Sequence, residues 1–369
     1  MSRFKVIISG GGTGGHVFPA IAIADELKSR DIECEILFVG AEGRMEMEKV
    51  PAAGYSIEAL PVAGFQRRIT IKNITFFFKL FSSMIKAHRI LKRFKPDVVV
   101  GVGGYASGPI IKAASFKNIP SVIQEQNSFP GVTNRILGRS ADKICVGYPN
   151  MDRFFQKEKI VYTGNPVRSG LSKEGVGKEA YHFFGFTCDR PVILVLGGSL
   201  GARGINEGVS AALDLIAKSN VQVLWQTGKF YIEDIKELVS AREDLSNLII
   251  TEFISRMDLA YEIADVVISR AGAGTISELS ILGKASVLVP SPNVSEDHQT
   301  KNAMALVDSN AALMVTDKEA PERVVKEALK IIKDNRLREK LKSGIKAFAK
   351  PLAASDIADT IINLVNKPK

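Results

Sequence analysis

Short runs of β-branched and other apolar residues recur along the chain. Between them, apolar positions return every three or four residues. The runs at 4–9, 35–39, 97–102, 121–124 and 143–146 read as strands buried on both faces. A second series lies at 191–196, 221–226, 248–251, 265–269 and 285–289. The intervening stretches, such as 19–29, 205–217 and 232–239, carry helical periodicity. This alternation predicts a doubly wound α/β architecture with parallel sheets. Between the two series stands YTGNPVR, residues 162–168, whose turn formers mark a domain junction. The rhythm restarts at Pro191 with a strand, a glycine loop and a helix, as it began at Phe4. The expected fold is two Rossmann-like domains facing across a cleft.

The chain has 369 residues, long for one domain, and its 46% hydrophobic and 24% charged content are globular values. Net charge is +9. Residues 1–170 hold 24 basic and 14 acidic side chains and the remainder 25 and 26, so the excess belongs to the first half and predicts an anionic partner there. Cys34, Cys145 and Cys188 form no CxxC pair, which argues for buried thiols in a reducing cytosol and against a zinc or disulfide framework. No charged-then-apolar leader precedes Phe4, and no uncharged apolar window reaches the ~20 residues of a membrane span. A soluble cytoplasmic protein is expected, one that can still meet a membrane at its surface.

Four glycine-rich segments follow strands: GGGTGGH at 10–16, GVGGYASGP at 101–109, GGSLGAR at 197–203 and SRAGAGTISE at 269–278. All should lie at the carboxyl edge of a sheet, where open α/β folds bind ligands. Gly10, Gly12 and Gly15 match G-x-G-x-x-G, but the acid with the right spacing, Glu35, starts the next strand rather than ending it, which argues against NAD or FAD. What remains is backbone that a ligand can approach, with helix-start N–H groups that favour anionic oxygens. In the fourth segment Thr275 and Ser277 can donate or accept hydrogen bonds. Glu278 lies one turn into the helix. It suits either a vicinal diol such as ribose or an ordinary first-turn acid, and spacing leaves both open.

Eight motifs occur in order: GGTGGHVFPA (11–20), GVGGYASGP (101–109), EQN (125–127), GNPVR (164–168), GGSLGAR (197–203), TEFI (251–254), RAGAGTISE (270–278) and DHQTKNA (297–303). This series resembles the MurG family, bacterial glycosyltransferases that add N-acetylglucosamine to the lipid-linked muramyl-pentapeptide precursor of the cell wall. The resemblance implies the GT-B fold, with a last helix, here 355–365, crossing back onto the N-terminal domain. It places an acceptor- and membrane-binding domain at 1–163, joined by about 350–369, and a UDP-GlcNAc-binding domain at 164–349. In that domain Glu278 would hold the ribose hydroxyls, and the backbone at Ile254 would read the uracil edge. Ser199 would face the pyrophosphate, with Arg168 near the nucleotide. Ala273, Gly274, Thr275, Ile276 and Ser277 would line the sugar nucleotide, and Gln299 would recognise GlcNAc hydroxyls. Thr13, Gly14, Gly15 and Asn127 would close the site from the N-terminal side. The sequence departs from some members at Gly274, where a bulkier residue can stand, and at His298, where a second glutamine can stand.

The implied reaction joins the C4 hydroxyl of polyprenyl-pyrophosphoryl-muramyl-pentapeptide to the anomeric carbon of GlcNAc with inversion, expelling UDP. It needs a base near the hydroxyl and positive character near the diphosphate. His16, ending the first glycine loop, is the expected base, since a helix start favours the neutral ring. Glu125, beside Asn127, is its rival. No DxD appears near the cleft and the acids do not cluster as metal ligands would, so no obligatory metal and no other cofactor is expected.

Between Glu58 and Asp97 there is no acid, but there are nine basic residues. As a helix, this stretch puts Lys72, Thr75, Lys79, Ser82, Ser83 and Lys86 on one stripe, and Ile74, Phe77, Phe78, Phe81 and Ile85 on the other side. A narrow cationic face beside a broad aromatic one predicts a helix lying in an anionic membrane surface. The implied location is peripheral, on the cytoplasmic face of the cell membrane. The phenylalanines within 76–81 span too wide an arc for one sheet-facing stripe. Aromatics on a helical face are not those of a nucleic-acid binder, so no nucleic acid partner is expected. The rivals are a GT-B enzyme acting on another lipid such as diacylglycerol, a sugar-nucleotide epimerase, and a non-catalytic UDP-sugar sensor. The sequence names no protein partner.

Overall fold

A computed structural model describes residues 4–30, 33–62, 72–167, 170–171 and 176–366, the side chains of 72–77 and of Ser295 excepted. The chain divides into two compact units, Met1–Arg168 with Lys350–Lys369, and Ser169–Ala349.

In the first unit seven strands form one parallel sheet: β1 (Phe4–Gly10), β2 (Cys34–Ala41), β3 (Ser56–Leu60), β4 (Val98–Gly103), β5 (Ser121–Glu125), β6 (Lys143–Val146) and β7 (Ile160–Tyr162). Their order is β3-β2-β1-β4-β5-β6-β7. The second unit holds β8 (Val192–Leu196), β9 (Gln222–Gln226), β10 (Leu248–Thr251), β11 (Ala264–Ser269), β12 (Ala285–Leu288) and β13 (Leu313–Met314), in the order β10-β9-β8-β11-β12-β13. Both sheets reverse direction of growth between their first and fourth strands in sequence, β1 and β4 in one and β8 and β11 in the other. Such a switch point opens a crevice beyond the strand ends. The strands the sequence pattern does not anticipate, β3, β7 and β13, are all sheet edges. They are short and only half-buried, so they lack the continuous apolar run that marks a central strand.

Helix α1 (Gly14–Ser29) begins before Pro19 rather than at it, so Gly14, Gly15 and His16 form its first turn. Its buried residues Val17, Ala20, Ile23, Ala24 and Leu27 recur at helical spacing and face the sheet. Helix α2 (Glu46–Ala52) follows β2, and α3 (Lys72–Phe94) precedes β4. The expected helix at 205–217 divides at Ala212 (φ −105°) into Arg203–Ala211 and Leu213–Ala217.

One face of the first sheet packs Val6 and Ile8 against α1 and against Ile357 and Ile361 of the last helix, Ala353–Val365. Arg30 ties that helix down, bonding Asp359 Oδ1 at 2.9 Å and Ser355 Oγ at 2.8 Å. The other face packs Ile7 and Val99 against Ile90 and Leu91 of α3. The second unit's core centres on Trp225, whose Nε1–H donates to Asn206 Oδ1 at 3.0 Å. The expectation of buried thiols holds for Cys145 alone: Cys34 is half-buried and Cys188 is exposed, so side-chain spacing did not predict their depth.

Candidate active site

In the first unit the glycine loops after β1 and β4 meet at the switch point, where Gly10 pairs with Gly103 and Gly11 N donates to Gly103 O at 3.3 Å. Gly103 has φ +101°, and a side chain there would press within 2.7 Å of the His16 ring, so glycine makes room for the imidazole. His16 Nδ1 lies 3.1 Å from Gly11 O and 3.2 Å from Thr13 Oγ1. A carbonyl oxygen only accepts, so this contact suits the tautomer with its hydrogen on Nδ1, in which the neutral ring has its lone pair on Nε2. Thr13 precedes α1 with extended backbone, and its carbonyl accepts the N–H of His16 and of Val17, both at 3.1 Å. The amides of Gly14 and Gly15 come before any intrahelical donor, and a helix start of this kind favours anionic oxygens.

Glu125 ends β5 and is buried. Its Oε1 accepts the backbone N–H of Asn127 at 2.9 Å and the Asn127 side chain at 3.2 Å. Its Oε2 accepts Gly131 N at 3.2 Å and Asn134 Nδ2 at 2.9 Å. Burial pushes this carboxyl up, and the four N–H donors oppose the shift. With both oxygens engaged, Glu125 anchors the Asn127 loop and is poorly placed for the alternative role of base. The EQN and GNP motifs are joined by the same kind of bonding: Gln124 Nε2 donates to Asn165 Oδ1 at 2.9 Å, and Asn165 Nδ2 to Gln126 O at 3.0 Å.

In the second unit the loops after β8 and β11 meet at the other switch point, with Leu196 paired to Ser269. Gly272 has extended backbone before the helix Ala273–Leu282. The first intrahelical donor is Ile276, whose N–H reaches Gly272 O at 3.0 Å, so the amides of Ala273, Gly274 and Thr275 precede it. Ile276 itself is buried, a core side chain, and contributes only backbone to any lining. The Ser277 hydroxyl donates back to Ala273 O at 2.9 Å. A methyl group at Gly274 would meet nothing within 4 Å, so the position has space for a bulkier residue.

Glu278 Oε2 accepts the hydroxyl of buried Tyr261 at 2.8 Å. The Ile254 N–H is directed to Gln226 Oε1 at 3.3 Å. Gln299 Oε1 accepts Ser291 N at 2.9 Å, which turns its amide hydrogens outward from that bond. His298 opens the helix His298–Val307. Ser199 is exposed, and its carbonyl accepts Lys229 N at 3.0 Å. Arg168 lies outside the described residues. Among the described residues no group of three or more His, Cys, Asp or Glu is placed to hold a metal ion.

On α3, Phe78 is 73% and Phe81 68% exposed, with Ile85, Lys79 and Lys86 also exposed. The buried side of this helix is Ser83, Ala87, Ile90 and Leu91. Ser83 therefore leaves the expected polar stripe, and its hydroxyl donates to Lys79 O at 2.7 Å. The side chains of Lys72, Ile74 and Phe77 lie outside the described residues. Phe78, Phe81 and Ile85 join Arg89, Arg93 and Glu58 around an open groove of about 580 Å³. Among the described residues no helix is long and apolar enough to cross a membrane.

Sequence reasoning missed Glu46 and Tyr261. Glu46 is fully buried and accepts Gly12 N at 2.8 Å, holding the first glycine loop as Tyr261 holds Glu278. No local signal marks either residue, because each partner comes from a different element.

The family model described as the glycosyltransferase family 28 N-terminal domain matches residues 6–146, and its C-terminal counterpart matches 192–360. A Phocaeicola vulgatus protein named UDP-N-acetylglucosamine--N-acetylmuramyl-(pentapeptide) pyrophosphoryl-undecaprenol N-acetylglucosamine transferase is 52% identical over 99% of this chain and 97% of its own. A Flavobacterium psychrophilum protein of the same name is 50% identical, with 100% of each chain covered. The crystal structure of Acinetobacter baumannii MurG is similar with a TM-score of 0.79 at 30% identity, covering 98% of this chain and 100% of that one. With both domains matched in order and relatives alike from end to end, the chain belongs to glycosyltransferase family 28, and its two Rossmann-like units are of the GT-B type.

Proposed function

We propose that this protein transfers GlcNAc from UDP-GlcNAc to the C4 hydroxyl of polyprenyl-pyrophosphoryl-muramyl-pentapeptide, the GlcNAc-adding step of peptidoglycan synthesis. The observation that carries the reading is 50% identity, over the whole of both chains, to a relative named for that transfer. The site chemistry supports it. His16 Nε2 takes the proton of the C4 hydroxyl. The oxygen forms a bond to the anomeric carbon on the face opposite UDP. The bond from that carbon to the diphosphate oxygen breaks, and UDP leaves with the electron pair. One in-line displacement gives a β-1,4 link.

The leaving diphosphate is met by the first-turn amides of Ala273–Leu282 and by the loop carrying Ser199. Glu278, oriented by Tyr261, accepts from the ribose hydroxyls. The carbonyl of Ile254 meets the uracil N–H, since its own amide is turned to Gln226. Gln299 donates to GlcNAc hydroxyls. Charge stabilisation by amides and helix dipole requires no resident metal in this scheme.

The protein sits peripherally on the cytoplasmic face of an anionic membrane, seated by α3. Its exposed phenylalanines enter the interface, while Lys79, Lys86 and Arg89 meet lipid headgroups. An acceptor panel tests the function. UDP release should depend on lipid-linked muramyl-pentapeptide and stay at background with diacylglycerol. Release with diacylglycerol alone would replace the acceptor, and release with neither would favour a sensor or an epimerase.

A further inference from the structure

The peptide group joining Gly11 to Gly12 is bonded on both sides. Its N–H, on Gly12, donates to Glu46 Oε2 at 2.8 Å. Its carbonyl, on Gly11, accepts from His16 Nδ1 at 3.1 Å. The other oxygen of Glu46 accepts the N–H of Ala41 at 2.9 Å, at the end of β2. The carboxylate is fully buried at the start of α2. A side chain on Gly11 would collide with it, and one on Gly40 would come within 2.6 Å of the Glu46 Cγ, so two glycines clear the space this acid occupies.

We propose that Glu46 is a positioning residue for the transfer, acting on His16 through the Gly11–Gly12 peptide. The proposal rests on the reading of His16 as the base. A buried negative charge that accepts the peptide N–H polarises the group and makes its carbonyl a stronger acceptor. That carbonyl fixes the ring's orientation and its Nδ1–H tautomer. It also stabilises the positive charge the ring gains with the acceptor's proton. The logic is that of a carboxylate paired with an imidazole, with one peptide inserted between them. The proton moves only from the C4 hydroxyl to Nε2; Glu46 neither gains nor loses one.

The test pairs a spectroscopic readout with a kinetic one, on the full chain. Only four histidines occur, His16, His88, His182 and His298, so ¹H–¹⁵N correlation of the imidazole nitrogens resolves each ring, and Glu46→Gln is compared with the unaltered protein. In the unaltered protein His16 should be protonated on Nδ1. Glu46→Gln should move it toward a mixture of tautomers and lower kcat about tenfold, with KM for UDP-GlcNAc little changed. His16 protonated on Nε2 in the unaltered protein would overturn the proposal, as would a Glu46→Gln variant with unchanged kcat and tautomer. Circular dichroism and UDP-GlcNAc binding check the fold. Where the glutamine variant does not fold, the same readouts are taken on Glu46→Asp, whose shorter arm lengthens the bond to Gly12; the same direction of change is expected, and no change overturns the idea. His16→Gln separates the two readings: normal kcat there removes His16 as the base, whereas the tautomer measurement bears on Glu46 alone.

Discussion

At the residue scale, the proposed chemistry turns on two side chains held by partners outside their own elements. His16 Nδ1 lies 3.1 Å from Gly11 O, a geometry that suits the Nδ1–H tautomer and leaves Nε2 as the proposed basic nitrogen. His16→Ala should lower kcat by roughly 10²–10⁴-fold while KM for UDP-GlcNAc changes little, as initial rates over a donor series will show. A near-normal kcat would end the assignment. Glu278 is aimed by Tyr261. In Tyr261→Phe a hydrogen bond to a carboxylate is lost, and KM for UDP-GlcNAc should rise about tenfold, or ~1.4 kcal/mol, with kcat nearly unchanged. A donor titration giving the original KM would mean that the phenol only fills core. The glycine loop and His16 were legible as neighbours because they follow one another along one stretch of the chain. Glu46 and Tyr261 were not legible, because Glu46 acts 34 residues from Gly12 and Tyr261 acts 17 residues from Glu278.

At the scale of elements, α3 carries its informative residues on the side turned away from the sheet. Its buried positions 83, 87, 90 and 91 suffice to seat it, which leaves Phe78 and Phe81 outward with the cations. Replacing both with serine should cost the membrane-bound state roughly 3 kcal/mol or more, at ~1.5–3 kcal/mol per phenylalanine removed from an apolar phase. Co-sedimentation with anionic vesicles should fall by about two orders of magnitude, while turnover of a short-chain soluble acceptor stays the same. Undiminished sedimentation would take α3 out of the account. The aromatic arc was readable from periodicity, and the burial of Ser83 was not: a small hydroxyl bonding back to Lys79 O fits the core side as well as any solvent stripe. Central strands and the edge strand β10 were readable from unbroken apolar runs, whereas the edge strand β13, two residues long, carries no such run.

At the scale of the whole molecule, the proposed roles fall to different units. The unit carrying the proposed base also holds the excess positive charge and the exposed aromatic helix, and the other unit holds the amides and Glu278 that suit a sugar nucleotide. Charge on the leaving diphosphate is assigned to peptide amides and a helix dipole rather than to an ion. Turnover should therefore persist in excess EDTA at its original rate, and loss of activity restored by magnesium would contradict that assignment. The most direct measurement is the linkage formed in the product. The protein is incubated with isotopically labelled UDP-GlcNAc and a short-chain lipid-linked muramyl-pentapeptide, and the glycolipid is read by NMR. One GlcNAc per UDP released is expected, β-linked to C4 of the muramyl sugar. UDP released without growth of the glycolipid, an α linkage, or attachment at another hydroxyl would contradict it.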